Sequence, residues 1–147
     1  MTDATKQTTL GSTGQPVTIK VLIVDDSFLM RRIIHNIIDK DEQMTVVGEA
    51  ADGAIALEKV AELKPDLILL DIEMPNMDGI EFLRRARLLT SAKVIVISSV
   101  ARIDSPEAQT VLELGAVDII PKPSGVLSVD FEEQKSRELL DAIHKCL

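Results

Sequence analysis

From Ile19 onward the chain alternates short apolar runs with stretches of helical periodicity. Residues 19–24 form a near-continuous apolar run rich in β-branched side chains, the pattern of a strand covered on both faces. Residues 27–39 follow, with Met30, Ile33, Ile34, Ile37 and Ile38 at helical spacing and Ser27 placed as N-cap. Residues 45–50 predict a second strand. Residues 53–62 predict a short helix with Ala56, Leu57, Val60 and Ala61 on one side. Pro65 ends that connection, and residues 66–70 predict the third strand. Asp78 is the expected cap of a helix running to about Leu88, its partial apolar stripe drawn from Ile80, Leu83 and the Ala86–Arg87 pair. Residues 93–97 predict the fourth strand. Ser105-Pro106-Glu107 then combines an N-cap, a proline at the first helical position and an acid in the positive first turn. Leu114-Gly115 ends that helix, and residues 117–120 predict the fifth strand. Asp130, with Glu133 three residues later, opens a last helix striped by Leu139, Leu140, Ile143 and Leu147.

Strands alternating with helices in this way imply an α/β fold. The expected architecture is a five-stranded parallel sheet with helices on both faces, joined by short right-handed connections. Residues 1–17, rich in Thr, Gln, Gly and Ser, read as a flexible leader, and residues 18–147 as one domain. Gly11-Ser12-Thr13-Gly14 lacks the flanking strand and helix that a nucleophile turn needs.

Composition narrows the partners. The chain carries 24 acidic against 16 basic residues, a formal charge of −8. Nucleic acid and anionic membrane surfaces repel such a surface, so neither is expected as a direct partner. No apolar run approaches the roughly 20 residues that span a bilayer. The lone Cys146 excludes an internal disulfide and suits a reducing, cytoplasmic setting. Phe28, Phe82 and Phe131 are the only aromatic residues, too few for a base- or sugar-stacking platform.

In open α/β sheets ligands bind outside the carboxyl ends of the strands. Asp25 and Asp26 follow the first strand, Asp71 the third, Ser98 and Ser99 the fourth, and Lys122 the fifth. Each has an ordinary reading when taken alone: a cap, a loop acid, a loop start, a solvated lysine. Their arrival at one edge is harder to explain that way. Grouped carboxylates repel unless a cation is present, and an all-oxygen donor set favours Mg²⁺ over zinc. A hydroxyl and a lysine opposite the acids suit phosphate oxygens. The combination points to phosphoryl chemistry with one carboxylate as nucleophile.

These residues resemble the response-regulator receiver family, the phosphoacceptor domains of two-component signalling. The motifs are Val24-Asp25-Asp26-Ser27, the run from Leu70 through Asp71, Glu73 and Pro75 to Gly79, the hydroxyl of Ser98, and Lys122-Pro123. The resemblance implies a flavodoxin-like (βα)5 fold and phosphorylation of Asp71. It implies that Asp26 and Asp71 ligate Mg²⁺, with the carbonyl of Glu73 as a further ligand and Asp25 acting mainly through a bound water. Ser98 and Lys122 would contact the phosphoryl group, and the Lys122–Pro123 bond would be cis. Glu73, Ser99 and Val100 flank the site as tuning positions. A histidine kinase is the implied phosphodonor. A downstream protein or a tethered effector domain is the implied output, and the chain is expected to be a monomer or weak dimer. Many receivers carry Tyr or Phe at the second position of the fifth strand. Ile119 stands there, so the usual hydroxyl-and-aromatic switch has no ring.

A narrower resemblance links residues 96–99, 114–118 and 121–125 to the receiver half of chemotaxis protein-glutamate methylesterases. The chain ends at Leu147, just after the last receiver helix, so the esterase domain is expected to be absent and the chain is not expected to be an enzyme with an external product. Two rival readings are an aspartate-nucleophile phosphatase or phosphotransferase and a phosphorylation-independent interaction domain. A third is a phosphohistidine carrier using His35, which sits near the edge of the buried face of its helix.

Overall fold

A computed structural model of the chain describes residues 18–72, 74, 77–99, 104–122 and 129–147, with side chains of the last stretch described from Ser136. The elements run β1 (Ile19–Val24), α1 (Phe28–Asp39), β2 (Met44–Ala50), α2 (Gly53–Leu63), β3 (Leu67–Leu70), α3 (Gly79–Ala86), β4 (Lys93–Ser98), α4 (Pro106–Glu113), β5 (Asp118–Pro121) and α5 (Val129–Cys146). The five strands form one sheet in the order β2-β1-β3-β4-β5. Every strand pair is parallel.

Period-2 alternation sorts the strand side chains into two cores. Leu22, Val24, Ile68, Leu70, Val94 and Val96 pack against Ala56 and Val60 of α2, Phe82, Leu83 and Ala86 of α3, and Val111 of α4. Val21, Ile23, Leu67, Leu69, Ile95, Ile97 and Ile120 pack against Ile34, Ile37 and Ile38 of α1 and Leu139 and Ile143 of α5. Both faces are therefore covered. That explains why the strands read as apolar runs rather than as an alternating pattern.

The caps follow the sequence closely. Ser27, Asp52, Asp78 and Ser105 each accept a backbone N–H at the start of α1, α2, α3 and α4. Gly115 leaves α4 at a φ of 110°, a left-handed conformation that suits glycine.

Three expected core positions are corrected. In α3 the deepest side chain is Phe82, fully buried, while Arg87 is exposed; Ile80, half-buried, packs against the core as expected. The helix begins after its expected cap, Asp78, and ends at Ala86, so Phe82, Leu83 and Ala86 face the sheet while Arg87 is its C-cap. Ala61 faces outward from α2. Leu147 lies past the end of α5 and is 44% exposed. Residues 1–17, Glu73, Val100, the Lys122–Pro123 bond and the side chains of Asp130 and Glu133 lie outside the described residues.

Candidate functional site

The sheet itself assembles the site. In β1 and β3, Val24 pairs with Leu70, so the next residues, Asp25 and Asp71, leave side by side. The ladder runs one bond further on each: Asp25 N–H donates to the Ala50 carbonyl at 3.0 Å, and Asp71 N–H to that of Val24 at 2.8 Å. Across the sheet, Lys122 N–H donates to the Ser98 carbonyl at 2.8 Å. By alternation Asp25, Asp71 and Lys122 continue the side of Ile23, Leu69 and Ile120. Their side chains meet there. The Lys122 Nζ lies 3.4 Å from Asp71 Oδ1 and 3.6 Å from Asp25 Oδ2.

The segment leaving β3 is held by close approach. Gly79 N–H donates to the Ile72 carbonyl at 2.8 Å, and a Cβ on Gly79 would lie 2.5 Å from the Asp71 carbonyl oxygen. Gly53 N–H likewise donates to the Met77 carbonyl at 3.1 Å, and a Cβ there would lie 2.6 Å from that oxygen. Only glycine lets α2 and α3 approach this loop so closely.

Asp25, Asp26 and Asp71 each offer a carboxylate oxygen, and these atoms lie within 4.8 Å of one another. Asp25 and Asp71 are buried and Asp26 is exposed. Asp25 Oδ1 accepts the Ser27 N–H at 2.8 Å. Asp25 Oδ2 is buried without a hydrogen bond among the described residues, its nearest cation being Lys122. An orphaned carboxylate oxygen beside two further acids fits a hard divalent cation with oxygen ligands. Burial pushes the Asp25 carboxyl above the usual carboxylate range. Asp26 adds to the rise, while the Ser27 N–H and Lys122 oppose it.

This sets a pH dependence. With its folded pKa raised, Asp25 binds its proton more readily in the folded state than in the unfolded one. Metal-free stability therefore falls as pH rises through the folded pKa. Asp25→Asn is expected to raise the urea midpoint of the metal-free protein at pH 7, and to raise it less in acid, where Asp25 is already protonated. A lowered midpoint at pH 7 would contradict this electrostatic account.

Ser98 is buried and continues the side of Val94 and Val96, while Ser99 is exposed. Ile119 is half-buried against the α2–α3–α4 core. Two residues at this edge carried no clear signal in the sequence. Arg31 donates from Nη1 to the Asp25 carbonyl at 2.7 Å and from Nε to Glu49 at 3.0 Å. A charged residue on a helix ordinarily reads as solvated, and its partner lies 18 positions away on β2. His35, half-buried as expected, shares Glu49 at 2.9 Å and lies 3.4 Å from Asp39.

The family of the response regulator receiver domain matches residues 21–128. The chain belongs to this family. It is 48% identical over 122 residues to a protein-glutamate methylesterase/protein-glutamine glutaminase of Halalkalibacterium halodurans, covering 83% of this chain and 35% of that protein. The corresponding Thermotoga maritima protein is 45% identical over 129 residues, covering 88% and 37%. The chain thus spans about a third of the length of these curated relatives. Among solved structures, the response regulator domain of Thermotoga maritima CheB superposes with a TM-score of 0.77 at 45% identity, covering 87% of this chain and 95% of that one. A structure of the P1 domain of CheA3 in complex with CheY6 from R. sphaeroides gives 0.67 at 46% identity, covering 86% and 98%. The receiver fold expected from the sequence is the fold observed. The match covers the receiver portion of these relatives, and no helix among the described residues is long and apolar enough to cross a membrane.

Proposed function

We propose that this receiver domain takes a phosphoryl group onto Asp71 from a histidine kinase, or from a small donor such as acetyl phosphate, in chemotaxis-type signalling. The observation that supports this most is the meeting of Asp25, Asp26, Asp71 and Lys122 at the carboxyl edge of the sheet. The Asp71 carboxylate attacks phosphorus while the bond to the donor's leaving group breaks, so no further reactant is needed. Asp25, Asp26 and Asp71, with the Glu73 carbonyl, would hold Mg²⁺, which supplies charge neutralisation for the transferring group. Lys122 already lies against Asp71 and pairs with the added phosphoryl charge. Ser98 hydrogen-bonds one phosphoryl oxygen and draws the loop after β4 with it, because Ile119 has no ring to swing. Glu73, Ser99 and Val100 tune the lifetime of the modification.

The output is the face made by α4, β5 and α5, read by a downstream protein or a tethered effector. Methylesterase relatives support the tethered arrangement, and the complex of the similar CheY6 with the P1 domain of CheA3 supports a histidine kinase donor. The setting is the cytoplasm, and residues 18–147 act as one unit behind the leader at 1–17.

The reading is tested by incubating the protein with acetyl phosphate, with and without Mg²⁺, and challenging the product. An acyl phosphate that needs Mg²⁺ to form and is cleaved by hydroxylamine and alkali is expected. A modification that resists alkali would instead place the chemistry on histidine.

A further inference from the structure

Arg31 ties three elements together around one peptide group. Its Nη1 donates to the Asp25 carbonyl at 2.7 Å, its Nε donates to Glu49 Oε1 at 3.0 Å, and its own backbone N–H donates to the Ser27 carbonyl at 3.0 Å. The side chain is only 14% exposed, and its guanidinium lies 5.7 Å from the centre of the Phe28 ring. Glu49 is fixed in turn. Its second oxygen meets His35 Nδ1 at 2.9 Å, and His35 Nε2 lies 3.4 Å from Asp39. Burial pushes the Glu49 carboxyl up, but the bonds from His35 and Arg31 outweigh it and hold it below the usual range. Asp25 is also gripped from β2 through its N–H, which donates to the carbonyl of Ala50, the neighbour of Glu49.

The Asp25 carbonyl belongs to the peptide plane that carries Asp26 on its other side. Asp26 is exposed and makes no side-chain hydrogen bond or ion pair among the described residues. Its carboxylate is therefore aimed by the backbone, which the Asp25 carboxylate holds through the Ser27 N–H and Arg31 clamps from α1 through the Asp25 carbonyl. A rigid guanidinium fork can bond a carbonyl and a carboxylate at once, whereas an ammonium group offers a single point of contact.

We infer that Arg31, braced by Glu49 and His35, is a positioning residue that sets the cation affinity of the Asp25–Asp26–Asp71 cluster by fixing the Asp25–Asp26 peptide plane. The inference rests on the reading of that cluster as a Mg²⁺ site. Its sign separates it from a plain charge effect. Removing a positive charge near a dication tightens binding by Coulomb's law, whereas releasing the clamp weakens it.

The test is calorimetric titration of Mg²⁺ into the intact chain at fixed pH and ionic strength. Arg31→Lys, which keeps the charge and loses the fork, is expected to bind Mg²⁺ about tenfold more weakly, as for other partners that orient metal ligands. Arg31→Met is expected to bind more weakly still, and Arg32→Met, altering the exposed neighbouring arginine, no more weakly than wild type. Arg31→Met binding as tightly as wild type or tighter, or Arg31→Lys binding unchanged, would overturn the inference while leaving the metal site standing. Wild type failing to bind Mg²⁺ would overturn the site reading and the inference with it. Cooperative urea unfolding checks that each variant is folded. Where Arg31→Met is not, Arg31→Lys decides.

Discussion

Asp71→Asn is expected to take up no phosphoryl group from acetyl phosphate in the presence of Mg²⁺, under conditions that label the wild type. The reason is chemical rather than structural. An amide has nearly the shape of the carboxylate it replaces, but its oxygen is a poor nucleophile and carries no charge to neutralise. The backbone contacts at this position survive the change. The N–H still donates to the Val24 carbonyl, and the carbonyl still lies under Gly79. Removing one of three clustered negative charges also relieves repulsion, so the variant should be at least as stable as wild type without metal. Loss of labelling therefore reports the nucleophile and not a collapsed fold. Intact-mass measurement after exposure to the donor reads it directly. Undiminished labelling of the variant would move the chemistry to another residue.

Phe82→Ala carries the largest expected loss of stability, about 3–5 kcal/mol. Phe82 is fully buried in the core formed with α2, α3 and α4 and is the bulkiest of the fully buried side chains among the described residues. Truncation removes the ring's transfer free energy and leaves a cavity in a layer whose backbone is pinned by the close approach of Gly79 to the Asp71–Ile72 segment. The site is affected through the same packing, because α3 begins where that segment ends. Equilibrium urea unfolding checks the figure. A loss under about 1 kcal/mol would mean that this layer relaxes around the gap.

The sheet was legible because its central strands, β1, β3 and β4, are covered on both faces. The five runs stood out from the amphipathic helices by composition and by length. The acid cluster was legible for a topological reason: parallel strands deliver the residues after their carboxyl ends to one edge, so chain order alone brought Asp25, Asp26, Asp71 and Lys122 together and placed Ser98 at the same edge. Phe82 was missed because an eight-residue helix offers barely two turns of periodicity. The cap at Asp78 was read as it is observed, but the stripe was carried on to Arg87, past the end of the helix, and passed over Phe82. Leu147 was assigned to a stripe although α5 ends one residue before it. Arg31 and Glu49 were illegible for a different reason. Their bond joins α1 to the strand that follows it, β2, across 18 positions, and no spacing rule along one element reports such a pair. Ile119 shows the limit on the functional side. The absence of a ring is plain in the sequence, but its consequence depends on how Ser98 and the segment after it move.

The central claim is that Asp71 is the carboxylate that accepts the phosphoryl group. Its most direct test is borohydride reduction of the acetyl-phosphate-treated wild type followed by peptide sequencing by mass spectrometry. Reduction converts an aspartyl phosphate to homoserine and leaves unmodified carboxylates intact. Homoserine at position 71, dependent on Mg²⁺ during labelling, is the predicted result. Homoserine at position 25 or 26, or none in a protein that carries the phosphoryl group, would contradict it.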